Sequence, residues 1–78
     1  MMSRAEREVA LAFCRGLTDK EVANMLFRSY HTVRVQKKAI YRKLGVSKDT
    51  ELLWWMIYER QGRQFNLQEI REKGIEAL

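Results

Sequence analysis

Apolar residues recur at helical spacing along most of this chain, and polar capping signals break the pattern into segments. Ser3 and Glu6 stand at the serine-x-x-glutamate spacing of a capping box, Val9, Ala12 and Phe13 follow, and Gly16 supplies a left-handed stop. These features predict a first helix over about 4–15. Thr18 and Glu21 repeat the capping box ahead of Val22, Ala23 and Leu26, which predicts a short second helix over about 19–26. After the turn Phe27-Arg28-Ser29, Ser29 caps a third helix over about 30–44 that ends at Gly45. At about 100° per residue, Val33, Ile40 and Leu44 share one face of that helix. His31, Arg34, Val35, Lys38 and Arg42 gather on the opposite face, with Ala39 at its edge.

Ser47 is placed to cap a fourth helix over about 48–61, stopping at Gly62. Its centre, Leu52–Tyr58, is apolar all round, so it is expected to be covered on more than one side. One side packs on the first three helices. Leu53, Trp54, Ile57 and Tyr58 are then candidates either for a dimer interface or for packing of a last helix. That helix, over about 67–77, starts at Asn66 and Glu69 and carries the stripe Leu67, Ile70, Ile75 and Leu78, with Gly74 weakening its final turn. The expected architecture is all-α. Residues 1–62 form one unit, and 63–78 form a C-terminal helical extension packing on the fourth helix.

Composition supports that class. There are 78 residues, no proline and four glycines, too little turn chemistry for a strand-rich fold. One cysteine and one histidine exclude a disulfide or a multi-ligand zinc site within one chain, and a reducing, cytoplasmic setting is expected. The longest apolar run, the seven residues Leu52–Tyr58, falls far short of the roughly 20 needed to span a membrane. No cofactor is implied.

Charge changes the picture. The net charge of +5 is unevenly placed: Val22–Lys48 contains no acid and seven bases, Arg28, Arg34, Lys37, Lys38, Arg42, Lys43 and Lys48. With nothing nearby expected to neutralise it, such a segment favours a polyanionic partner. A short helix, a three-residue turn and a longer basic helix form a helix-turn-helix pattern, whose second helix suits the major groove of double-stranded DNA. Arg34 and Lys38, one turn apart, are placed to donate to guanine, and Val35 to touch a thymine methyl. Thr18, Lys20 and Thr32, near helix N-termini, suit phosphates. Arg42, Lys43 and Lys48 add attraction that reads no sequence.

The run Ser3-x-x-Glu6-Arg7-Glu8-Val9, Gly16-Leu17-Thr18-Asp19-Lys20-Glu21-Val22-Ala23, Leu26-Phe27-x-Ser29, Thr32-Val33-Arg34 and Ile40-Tyr41-x-Lys43-Leu44-Gly45-Val46 resembles the LuxR/GerE-type (NarL/FixJ) DNA-binding domain of bacterial transcription regulators. The resemblance covers residues 3–52. It implies a four-helix domain, here with an additional C-terminal helix, and a homodimer contact through the fourth helix. It implies base contacts at Arg34, Val35 and Lys38, and backbone contacts near Thr18, Lys20, Thr32 and Lys43. Three positions depart from the family pattern: Gln36 stands where histidine is frequent, Arg28 replaces a branched aliphatic, and Asp49 an arginine. Arg28 is read as an added phosphate contact, and His31 on the basic face as either another or a plain solvated side chain.

Other residues take plainer readings. Cys14 is a small buried hydrophobe, and Glu6 and Glu8 supply helix-start charge and surface ion pairs. Trp54 and Trp55 pack in a core or interface, whereas Tyr41 is left between packing and a phosphate contact. The leading function is a sequence-specific DNA-binding regulator, with a sensor domain or RNA polymerase as protein partners. The alternative is a protein-interaction module, an adaptor, anti-activator or sigma region 4-like fragment that grips its partner through the last two helices. No nucleophile–base pair or phosphate loop suggests an enzyme, and no catalytic residue is assigned.

Overall fold

The computed structural model describes residues 2–77. Five α-helices follow in order, α1 Arg4–Phe13, α2 Asp19–Leu26, α3 Tyr30–Leu44, α4 Asp49–Arg60 and α5 Leu67–Lys73, and a 3₁₀ turn covers Gly74–Ala77. The architecture is all-α. Among the described residues no helix is long and apolar enough to cross a membrane.

Local signals explain the starts of α1, α2 and α3. Both capping boxes close: Glu6 N donates to Ser3 Oγ and Ser3 N to Glu6 Oε1, and Thr18 and Glu21 exchange the same pair of bonds. Ser29 Oγ accepts from Thr32 N at 3.0 Å and starts α3. Gly45, at φ +72°, closes α3 in the left-handed region, where Val46 N reaches back to Tyr41 O at 3.0 Å.

Three boundaries differ from the sequence reading. First, α1 ends at Phe13 rather than near 15, because Arg15 and Gly16 donate to Ala12 and Phe13 and tighten the chain into a turn. Second, Ser47 does not cap α4. The cap position is Lys48, which makes no side-chain bond, and Glu51 reaches back to accept from Ser47 N (2.7 Å) and Ser47 Oγ (3.2 Å). Third, the last helix stops at Lys73. Gly74 takes φ +57°, and the tighter turn beyond it rotates the register. Ile75, expected inside, is 77% exposed, and Ala77 is buried instead. Leu78, expected at the end of the same stripe, lies outside the described residues.

The core is built from Val9, Ala10, Ala12 and Phe13 of α1, Val22 and Ala23 of α2, Val33 and Ile40 of α3, and Leu52 and Trp55 of α4. Each set occupies one stripe of its helix, which is how a small helical domain closes around one centre. Leu44 borders this core half-buried. On α4, Leu52, Trp55 and Tyr58 are buried, Trp54, Met56 and Ile57 half-buried, and Leu53 is exposed.

The tail is fastened to α4 by polar as well as apolar contacts. Tyr58 Oη donates to Glu69 at 2.7 Å, and Phe65 meets the Tyr58 ring edge-on at 5.8 Å. Arg63 lies 4.4 Å over the same ring, and donates to Glu69 and to Ala77 O. Arg71 pairs with Glu51 at 3.2 Å. The bond from Tyr58, with Arg63 beside it, holds the Glu69 carboxyl below the usual carboxylate range.

Candidate nucleic-acid interface

The chain turns from α2 towards α3 at Phe27, which adopts φ 55°, ψ 44°. It is the non-glycine residue with positive φ among those described. Arg28 N then reaches Ala23 O at 2.9 Å, completing the helix-ending motif usually made by glycine. The Phe27 ring is 96% exposed. This turn sets α3 across α1 and α2 with its apolar stripe, Val33 and Ile40, pressed into the core.

The opposite side of α3 faces solvent. His31, Thr32, Arg34, Val35, Lys38 and Arg42 are all exposed. Tyr30, Arg34, Lys38 and Arg42 recur every fourth residue and therefore run as one ridge along the helix. Arg34 contacts its neighbour on that ridge: its Nη1 donates to Tyr30 Oη at 3.1 Å, and its guanidinium carbon lies 5.7 Å from the Tyr30 ring centroid. This bond raises the Arg34 pKa above its ordinary value. Beside the start of the ridge, an open groove of about 830 Å³ is lined by Thr18, Lys20, Tyr30 and Lys37 among others. The structure thus brings Thr18 and Lys20, at the N-terminus of α2, to the edge of α3. Lys48 is exposed just before α4.

The basic segment is not left unneutralised, as its sequence suggested. Three of its seven cations are paired with acids from outside it. Arg28 donates to Glu8 (3.3 Å), Ala5 O (3.2 Å) and Gln36 (3.4 Å), so its head lies on α1. Lys43 Nζ grips both oxygens of Glu6 at 2.7 and 3.0 Å. Glu6 is not a surface pair member, as expected, but a buried carboxylate (8% exposed). The Lys43 ammonium, with Ser3 N, lowers its pKa from 4.5 to about 2. Lys37 is the third. Its Nζ lies 3.3 Å from Asp19 and 3.5 Å from Asp49, and sits 4.4 Å over the Phe13 ring and 5.7 Å from that of Tyr41. Tyr41 Oη donates to Asp49, a contact within the chain. Among the described residues no carboxylate pairs with Lys20, Arg34, Lys38, Arg42 or Lys48.

Sequence reasoning missed Lys37, Glu6 and Tyr30 as parts of this surface. The Tyr30–Arg34 and Lys37–Tyr41 pairs carry an i, i+4 spacing that could have exposed them. The Lys43–Glu6 and Lys37–Asp19 contacts join distant segments and leave no local signal. Cys14 is half-buried, with Sγ 3.6 Å from Leu52 O, and burial pushes its thiol up to about 11. Among the described residues no group of three potential ligands could hold a metal ion.

The sequence model of the bacterial regulatory proteins of the luxR family matches residues 1–56. The chain is 41% identical over 51 residues to the transcriptional regulatory protein UhpA of Escherichia coli K12, covering 65% of this chain and 26% of that protein. It is 42% identical over 52 residues to the transcriptional regulatory protein RcsB of the same strain, covering 67% of this chain and 24% of that protein. The match spans about a quarter of the length of each relative. No solved structure matches at a significant level.

Proposed function

The chain belongs to the luxR family of bacterial regulatory proteins and is a DNA-binding transcription regulator domain, and from that premise we propose that it reads double-stranded DNA by laying α3 in the major groove. The observation that carries this reading is the exposed ridge of α3, whose Arg34, Lys38 and Arg42 have no acidic partner among the described residues, while the buried stripe behind it anchors the helix. In this reading Arg34 and Lys38 donate to guanine edges and Val35, half exposed, meets a thymine methyl. Thr18, Lys20, His31, Thr32, Arg42 and Lys48 contact phosphates and fix the register. Arg28 and Lys43 have their heads on Glu8 and Glu6, so their main service is to hold α3 against α1, with any phosphate shared with those acids.

Residues 1–62 form the reading unit and 63–78 an extension on α4. Leu53, Trp54 and Ile57 supply the surface through which two copies pair over half-sites about one helical turn apart. Tyr58 belongs to the tail contact, being buried against Phe65 and bonded to Glu69. In this role the chain acts in the bacterial cytoplasm, and a sensor domain or RNA polymerase converts DNA occupancy into altered transcription.

The test is selection of bound duplexes from a random pool, followed by affinity measurements on a selected and a random duplex. Arg34→Ala and Lys38→Ala should each lose about 1–3 kcal/mol of discrimination for a bidentate base contact. Equal losses on both duplexes would assign these residues to phosphates. Absence of any DNA affinity would favour the protein-interaction module.

A further inference from the structure

Base reading by an arginine depends on where its guanidinium is held before DNA arrives. An exposed arginine on a helix samples many rotamers, and ordering such a side chain on binding lowers affinity by about 2- to 13-fold. Arg34 instead meets a partner on its own ridge. Tyr30, one turn earlier, accepts a hydrogen bond from Nη1 at 3.1 Å and faces the guanidinium with its ring at 5.7 Å. Two contacts of different kinds therefore fix one head group, and both come from a residue on the same exposed ridge. Tyr30 is itself half exposed (48%), so it is not a core residue whose packing explains its presence. One Nη1 bond leaves the remaining N–H donors of a five-donor fork available for a base edge.

We propose that Tyr30 is a positioning residue for sequence discrimination: it pre-orders Arg34 for the guanine edge and adds selectivity without reading a base itself. The inference rests on the groove reading of α3 given above.

The test is a double-mutant cycle on the whole chain, using a duplex selected from the random pool and a random duplex of equal length at one salt concentration. Tyr30→Phe keeps the ring and removes the hydroxyl. It should reduce the ratio of selected to random affinity by part of the about 2- to 13-fold range that one ordered side chain can supply, and leave affinity for the random duplex unchanged. In an Arg34→Ala background the same substitution should have no effect on the ratio. Tyr30→Ala should reduce the ratio further, since the ring contact is also lost. A Tyr30→Phe protein with undiminished discrimination would overturn the proposal, as would an equal loss with Arg34 absent. Equal weakening on both duplexes would also overturn it, by marking the hydroxyl as a phosphate contact. Those outcomes leave the DNA-binding reading intact. A wild-type chain that enriches no duplex would end both.

Discussion

Arg42 and Lys43 are neighbours with the same charge and opposite surroundings, which makes them a sharp test of the structure. Arg42 is exposed on the α3 ridge with no acid beside it, whereas Lys43 Nζ holds both oxygens of buried Glu6. If Arg42 meets a phosphate, Arg42→Gln removes one released counterion, and the slope of log affinity against log salt should become shallower by about 0.9. Over a fourfold salt range, about 50 to 200 mM, that amounts to a salt-induced loss of affinity smaller by about 3.5-fold. Thermal stability should stay near that of the wild type, as for most exposed substitutions. Lys43→Gln removes the same formal charge, but one that Glu6 already balances, so the slope should barely move. Its effect falls on the fold. The Glu6 carboxyl, held at about 2 by Lys43, should rise toward its ordinary value, and the melting temperature should fall. The pH dependence follows from the sign of that shift. A carboxyl whose folded value lies below the unfolded 4.5 contributes stability above pH 4.5, and loses it as pH falls toward about 2. In Lys43→Gln this acid-sensitive component should shrink. Fluorescence anisotropy on a labelled duplex gives the slopes, and circular dichroism melts between pH 7 and 3 give the stabilities. Equal slope changes for the two variants, or a Lys43→Gln protein with unaltered melting, would refute the assignment of free and paired cations.

Two further outcomes follow from local geometry. Phe27 occupies the left-handed region with its ring in solvent, so Phe27→Gly should relieve strain and stabilise the fold by about 1 kcal/mol, raising the melting temperature by roughly 4–8 °C; an unchanged or lower melting temperature would show that the exposed ring contributes something the structure does not reveal. The Cys14 thiol, pushed up to about 11 by burial from an ordinary 9.0, should react with a disulfide reagent at pH 8 about 10-fold more slowly than a free thiol, since the higher nucleophilicity of its thiolate offsets part of the smaller thiolate fraction, and at the normal rate once the chain is denatured.

Much of this fold is legible in short stretches of sequence, for a physical reason. A capping box is closed by residues three apart, and the helical stripe of α3 repeats within two turns, so Ser3, Thr18, Ser29, Val33 and Ile40 could be placed without tertiary knowledge. The basic outer face of α3 was readable in the same way. What failed were choices made by distant contacts or by near-equal local options. Glu51 accepts from Ser47 instead of letting Ser47 cap α4, and the Gly74 break sends Ile75 outward. The pairing of Lys43 with Glu6 spans 37 positions, and no periodicity reports it. The counting of like charges in a segment overstated the free charge on its surface, because folding brings α1 acids to Arg28 and Lys43.

Lys37 has a consequence for the rate of encounter. One ammonium on α3 serves Asp19 of α2, Asp49 of α4 and the faces of Phe13 and Tyr41, so a single side chain ties three helices together at the edge of the ridge. If α3 reads DNA as proposed, association should be governed by diffusion and the long-range field of the unpaired cations, and should slow as ions in solution shorten that field's reach.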